Sequence, residues 1–216
     1  MNIQQHREAL LNKAKQLAGS GLSQGKSGNI SVRCGEQVLI TPSGADYQQL
    51  TAADMVLLPL DYHPAKHSVS GLPPSSEWHF HLGIYKARPD LNAVVHAHPV
   101  FCTALACTGR AIPAFHYMVA IAGGNDIPLA PYALFGTEQL SEYVVKALTH
   151  RQACLLETHG MIASGDNLEK AFNLAIEVET LAEQYIEALK IGGVKLLTDQ
   201  QMAQVHEKFS HYGQRV

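Results

Sequence analysis

Helix-like and strand-like segments alternate along the whole chain, and no linker separates them. The clearest helices are amphipathic segments at 3–19 and 167–190, and the clearest strands are apolar segments at 93–98 and 153–157. Helices and strands that alternate from end to end pack as layers around a sheet. A chain of 216 residues is long enough to bury a large core. The sequence therefore predicts one α/β domain over residues 1–216.

Turn and capping residues divide the rest of the chain into short elements. Ser75 or Ser76 is the predicted N-cap of a helix that ends before Pro89, because serine caps helices and proline stops them. Thr137 is the predicted N-cap of another helix. The remaining predictions are helices at 103–107 and 198–209, a loop at 110–125, and strands at 30–33, 37–41, 55–60, 127–130 and 161–163.

Charge and hydropathy exclude several function classes. The chain has 16 Lys and Arg against 19 Asp and Glu, with no basic cluster, which disfavours a general nucleic-acid binder. No segment approaches the roughly 18 apolar residues of a membrane span, and no signal peptide is evident. The four cysteines suggest free thiols in a reducing compartment. We therefore expect a cytoplasmic protein. A charged fraction of only 16% suggests surface hidden in an oligomer.

Histidines are the first candidate for chemistry. His96 and His98 lie two residues apart in a predicted strand, so both imidazoles lie on one face and could reach one ion. Two ordinary polar residues on a sheet face are an equally good interpretation. His159 ends another predicted strand, and three imidazoles would leave one position of a tetrahedral zinc open. Manganese, cobalt or iron are not excluded. His79 and His81 lie on a predicted helix, on roughly opposite faces, which favours surface or interface positions.

Glu77 is the candidate carboxylate, because it stands at a predicted helix start beside a loop. It is either a glutamate that stabilises the helix N-terminus or an acid/base linked to the metal. Three short segments could present N–H groups and hydroxyls to an anion, although each alone is typical of an ordinary turn. These segments are Gly28-Asn29, Ser43-Gly44 and Ser75-Ser76. No phosphate-binding loop of the nucleotide-binding type is present.

Taken together, these segments resemble the class II aldolase/adducin family. Five of them occur in the family's order, at 28–33, 40–44, 74–77, 95–98 and 158–160. Four more resemble the family's aldolases of deoxyketose 1-phosphates, at 112–118, 122–125, 130–136 and 207–213. The resemblance covers nearly the whole chain. It implies a three-layer αβα fold with a mainly antiparallel central sheet flanked by helices. It also implies a homotetramer with active sites between subunits, and a C-terminal tail at about 206–216 near the active site.

The resemblance also implies the roles of individual residues. His96, His98 and His159 would hold one zinc ion per subunit, for which manganese or cobalt could substitute. Glu77 would complete the resting site and transfer a proton once substrate displaces it. Tyr117 would reach in from a neighbouring subunit as a second catalytic residue. The phosphate would be held by Gly28, Asn29, Ser43, Gly44, Ser75 and Ser76, and Phe135 and Tyr212 would line the aldehyde end.

The implied activity is reversible cleavage of a deoxyketose 1-phosphate to dihydroxyacetone phosphate and a small aldehyde. Candidate substrates are L-fuculose 1-phosphate and the 5-deoxyribulose and 5-methylthioribulose 1-phosphates of pentose salvage. Alternatives within the same family are a sugar-phosphate 4-epimerase, a dehydratase and a metal-free interaction module. The epimerases usually carry aspartate where this chain has Glu77, and the non-enzymatic branch typically lacks the histidines. The dehydratases share the glutamate, so only Tyr117 and residues 122–136 disfavour them.

Overall fold

One mixed sheet organises the molecule. The computed structural model describes residues 2–211, and within them seven strands pair in the order β3-β2-β1-β4-β7-β6-β5. All neighbouring pairs are antiparallel except β5 with β6. The strands are β1 (Asn29–Cys34), β2 (Gln37–Ile40), β3 (Val56–Pro59), β4 (Ala93–Ala97), β5 (Leu129–Ala130), β6 (Ala153–Leu156) and β7 (Gly160–Gly165).

Helices cover both faces of this sheet. They are α1 (Ile3–Gly19), α2 (Trp78–Ala87), α3 (Val100–Cys107), α4 (Glu138–Ala147), α5 (Leu168–Lys190) and α6 (Asp199–His211). Side chains alternate along each strand, so Val95 packs with α1, α3 and α5, whereas Val94 packs with α2 and α4. The expected three-layer fold with a mainly antiparallel sheet is confirmed. A 3-10 helix at Tyr117–Ala122, which the sequence predicted as loop, contacts α6.

Polar side chains fix where most helices begin. The Asn2 side chain accepts from the Gln5 N–H of α1, and Thr137 and Asn167 cap α4 and α5. The predicted start of α2 at Ser75 or Ser76 is wrong, because the helix begins at Trp78. Glu77 occupies the N-cap position but makes no capping hydrogen bond there. Its carboxylate instead contacts His96 at the end of β4.

The start of α3 is held by a carboxylate from α5. The oxygens of Glu179 accept the N–H groups of Phe101 and Cys102, at 2.9 and 2.8 Å. This pair of charge-assisted hydrogen bonds fixes the segment that follows His98.

We expect Glu179→Ala to lower the free energy of unfolding by about 2 kcal/mol, since it leaves two helix N–H groups without their charged acceptor. The shift of the urea-unfolding midpoint measures this. Glu183→Ala, an exposed change on the same helix, should stay within about 0.5 kcal/mol of the parent chain. Equal stability of the two variants would contradict the capping role.

Among the described residues, no helix combines the length and apolar character needed to cross a membrane.

Candidate active site

Three histidines converge at one end of the sheet. His96 lies in β4, His98 follows that strand, and His159 lies in the tight connection between β6 and β7. β4 and β7 are neighbours in the sheet, which brings the three imidazoles together although they are distant in sequence. One ring nitrogen from each lies within 4.8 Å of the other two. The Nε2 atoms of His96 and His98 are 2.9 Å apart.

Glu77 adds a carboxylate to this cluster. Its Oε2 lies 3.1 Å from Nε2 of His96, and its Oε1 lies 3.4 Å from Nε2 of His159. The Nδ1–H of His96 donates to the Met161 carbonyl at 2.9 Å. Because Nδ1 carries this hydrogen, Nε2 is the ring nitrogen that faces the carboxylate. Within residues 2–211, Oε1 of Glu77 is buried without a hydrogen-bond partner.

This donor set fits a divalent metal ion. Nε2 of His96 and Oε2 of Glu77 face each other, and a cation between them would stabilise both atoms. The buried Oε1 of Glu77, which has no hydrogen-bond partner among the described residues, is available as a further ligand. Ligand atoms about 2.1 Å from one tetrahedral zinc lie about 3.4 Å from each other. The separations of 2.9, 3.1 and 3.4 Å are close to that value.

Burial and mutual contact set the charge states of the cluster. Burial would raise the pKa of Glu77, which is 6% exposed, but His96, His159 and Asn29 outweigh it and lower the pKa well below its usual range. Burial lowers the pKa of His98 to about 3 and that of His159 to about 4, assisted by the neighbouring His96. At neutral pH the carboxylate is therefore ionised and both imidazoles keep a lone pair for a ligand.

The connection that carries His159 is tight on both sides. Thr158 has φ of 55°, a left-handed conformation that is strained for a β-branched residue. A side chain on Gly160 would place its Cβ 2.5 Å from the Ala97 carbonyl oxygen and 2.8 Å from Cδ2 of His98. Close approach of β7 to β4 at this point therefore needs a residue without a Cβ.

Gly160→Ala is expected to push β4 and β7 apart beside the histidines. We expect a loss of about 1–3 kcal/mol in unfolding free energy and weaker metal binding. Urea unfolding and metal titration measure the two effects. Gly19→Ala is the control, because no atom lies within 4 Å of the added Cβ. Unchanged metal affinity in Gly160→Ala would contradict this reading of the contact.

The three segments with predicted phosphate contacts lie side by side. Pro42 and Pro74 form an antiparallel bridge, and the Ser75 N–H donates to the Thr41 carbonyl at 3.0 Å. Thr41 in turn donates its N–H to the Ile30 carbonyl. Ser43, Gly44 and Ser76 are exposed, whereas Gly28, Asn29 and Ser75 are buried. Gly28 has φ of 82°, and a Cβ there would lie 2.9 Å from the His96 carbonyl oxygen, so this segment directly adjoins the histidine strand.

Two of the remaining predicted site residues, Tyr117 and Phe135, are exposed. Tyr117 is 49% exposed, and its ring centroid lies 6.3 Å from that of Phe209 in α6. Phe135 is 61% exposed, next to Gly136, whose Cβ position would be 2.9 Å from the Ser76 carbonyl oxygen. Tyr212 and the last five residues of the predicted tail, 212–216, lie outside the described residues.

One buried histidine was missed by the sequence analysis. The prediction of a surface or interface position is wrong for His81, which is fully buried and contacts Asn29 through its Nε2. His79 is half-buried and stacks on Trp78. The available signal was the spacing of Glu77, His81 and Tyr85, which recur every four residues and share one side of a helix.

Comparison with known proteins places these features in a family. Residues 8–186 match the family described as Class II Aldolase and Adducin N-terminal domain. The chain is 52% identical over 197 residues to the L-fuculose phosphate aldolase of Escherichia coli (strain K12), which covers 91% of this chain and 90% of that protein. It is 49% identical over 210 residues to the 5-methylthioribulose-1-phosphate/5-deoxyribulose-1-phosphate aldolase of Rhodospirillum rubrum, covering 96% and 92%. A solved L-fuculose 1-phosphate aldolase superposes with a TM-score of 0.88 and 37% identity, covering 95% of this chain and 96% of that one.

Proposed function

The chain belongs to the class II aldolase and adducin family and is an aldolase, and we propose that it is a zinc enzyme that cleaves a deoxyketose 1-phosphate reversibly. The products would be dihydroxyacetone phosphate and a small aldehyde. The observation that carries this proposal is the convergence of three imidazoles on one buried, ionised carboxylate.

His96, His98 and His159 would hold the metal, and Glu77 would complete the resting site. Three nitrogen ligands and one carboxylate suit zinc best, although manganese or cobalt could substitute. When bound, such an ion supplies Lewis-acid stabilisation of the negative charge that develops on the ketose oxygens during cleavage.

Two side chains would move the protons. Cleavage breaks the C3–C4 bond, removes the proton of the C4 hydroxyl and adds a proton at C3. Glu77 would exchange the C3 proton, and its ionised carboxylate is ready to accept that proton in the direction of synthesis. Tyr117 would exchange the proton of the C4 oxygen. Because Tyr117 is exposed here, we propose that it acts in the site of a neighbouring copy, within a homotetramer.

Two further groups of residues would bind the two ends of the substrate. Backbone N–H groups and hydroxyls of the adjoining segments 28–29, 43–44 and 75–76 would hold the phosphate. Phe135, with Tyr212 from the tail, would line the aldehyde end. Both relatives above are named as aldolases of a sugar phosphate, which is L-fuculose phosphate in one name and 5-methylthioribulose or 5-deoxyribulose 1-phosphate in the other.

An assay for dihydroxyacetone phosphate tests the proposal directly. L-fuculose 1-phosphate, 5-deoxyribulose 1-phosphate and 5-methylthioribulose 1-phosphate are offered side by side, with and without a chelator. We expect release from at least one sugar, loss of release after chelation, and recovery with zinc. Absence of release from all three by zinc-loaded protein would overturn the proposal in favour of an epimerase or a dehydratase. Release that chelation leaves unchanged would overturn the metal requirement.

A further inference from the structure

A buried chain of hydrogen bonds leads from Glu77 away from the histidine cluster. Nδ2 of Asn29 donates to Oε2 of Glu77 at 3.0 Å, and Oδ1 of Asn29 lies 2.5 Å from Nε2 of His81. Nδ1 of His81 lies 2.6 Å from Oγ of Ser31, which is 2.8 Å from the hydroxyl of Tyr85. No member is more than 6% exposed. The proposed reaction assigns no role to the last three members.

Two periodicities bring these side chains together. Asn29 and Ser31 are two residues apart in β1 and lie on the face that packs against α2. His81 and Tyr85 are four residues apart in α2 and lie on the face that packs against β1. The strand and the helix therefore supply alternate members of the chain, and each polar group contacts its partner directly.

The hydrogen atoms of this chain can point in only one direction. The ionised carboxylate of Glu77 only accepts, so Asn29 presents its amide N–H to it and its carbonyl to His81. Nε2 of His81 must then carry a hydrogen, and Nδ1 of the neutral ring accepts from the Ser31 hydroxyl. Ser31 in turn accepts from Tyr85. Burial lowers the pKa of His81 to about 3 and raises that of Tyr85, which keeps the imidazole neutral and the phenol protonated.

We propose that His81 is a positioning residue that fixes the amide orientation of Asn29 and, through it, the Glu77 carboxylate. This inference rests on the proposed function. With the amide turned over, Oδ1 of Asn29 would face a carboxylate oxygen, and two acceptors in contact repel. The N–H of His81 adds a second restraint against that orientation, because it donates to the carbonyl of Asn29. Glu77 is thereby held for proton transfer without contact between His81 and the substrate.

Three variants separate positioning from packing. His81→Leu removes both polar atoms, whereas His81→Gln retains an N–H donor for Asn29 and an acceptor for Ser31. Tyr85→Phe is the matched control, because it removes the far end of the same buried chain but leaves the two hydrogen bonds that orient Asn29. We expect His81→Leu to lower kcat about 10- to 100-fold with little change in KM or zinc content. His81→Gln and Tyr85→Phe should stay within about threefold of the parent chain.

Crystal structures of the variants give a readout that does not depend on activity. The contact between Asn29 and Glu77 should be lost or inverted in His81→Leu and retained in His81→Gln and Tyr85→Phe. An unchanged contact, or equal kcat losses in His81→Leu and Tyr85→Phe, would overturn the inference. A parent chain that releases no dihydroxyacetone phosphate would refute the proposed function instead, and the crystal structures would still decide whether His81 orients the amide.

A double-mutant cycle tests whether His81 acts through Glu77. In a Glu77→Gln background, His81→Leu should cause no further loss of kcat, because the group that it positions no longer transfers protons. If His81→Leu lowers kcat by the same factor in the Glu77→Gln background as in the parent chain, His81 does not act through Glu77, and the inference is overturned.

Discussion

His96→Ala is expected to abolish aldolase activity and stoichiometric metal binding together. His96 is fully buried at the centre of the cluster, 2.9 Å from Nε2 of His98 and 3.1 Å from Glu77. Its removal leaves His98, His159 and Glu77 without the nitrogen that lies between them, so one metal ligand is lost. Loss of several kcal/mol of Lewis-acid stabilisation corresponds to a fall in kcat/KM of at least about 10³-fold.

Metal content of the purified protein and kcat/KM on the preferred sugar measure this result. His150→Ala is the matched control, since His150 is exposed and its backbone carbonyl, which accepts a hydrogen bond from Arg151, is kept in alanine. Circular dichroism checks that the fold survives the change. A His96→Ala protein with full zinc content and normal turnover would refute the metal site.

Glu77→Gln is expected to separate metal binding from catalysis. The three histidines remain, so we expect zinc to stay bound with reduced affinity. Glutamine has almost the same shape and can still accept from Asn29, but it does not exchange a proton at neutral pH. The expected fall in kcat is therefore about 10²- to 10⁴-fold, the usual contribution of a general acid or base.

Comparison of Glu77→Gln with Glu36→Gln controls for the loss of one negative charge, because Glu36 is exposed in the turn between β1 and β2. Zinc content, kcat and solvent-hydrogen exchange into dihydroxyacetone phosphate are the measurements. Exchange should fall in parallel with kcat if Glu77 moves the carbon proton. If kcat of Glu77→Gln equals that of the parent chain, Glu77 does not transfer a proton and has only a structural role at the start of α2.

The sequence was sufficient for features that depend on local periodicity. The two-residue spacing of His96 and His98 indicated a shared face, and the structure places both side chains at one end of the sheet. The helices at α1 and α5 follow the predicted ranges closely, because their apolar positions recur at helical spacing. For Glu77 the local pattern was ambiguous. A glutamate at a helix N-terminus can either cap the helix or contact a neighbouring active site, and the sequence pattern is the same in both cases.

Features that depend on which elements pack together could not be predicted from the sequence. The two-residue spacing of His79 and His81 on a helix favours surface or interface positions, whereas the partners of His81 are Asn29 and Ser31 on a strand about 50 residues earlier. Nothing local in α2 indicates that β1 lies against it. Likewise, the adjacency of the segments at 41–44 and 73–76 depends on the bridge between Pro42 and Pro74.

The order of strands in the sheet has a consequence for how activity emerges during folding. The site is built on β1, β4 and β7, which are neighbours in space but not in sequence, and His96 and Met161 are 65 residues apart. Loops of this length must close before the imidazoles meet, and such non-local pairing slows folding. Local helices can form early without any part of the site. Metal capture would therefore report the last stages of refolding, and helical circular dichroism would recover before catalysis does.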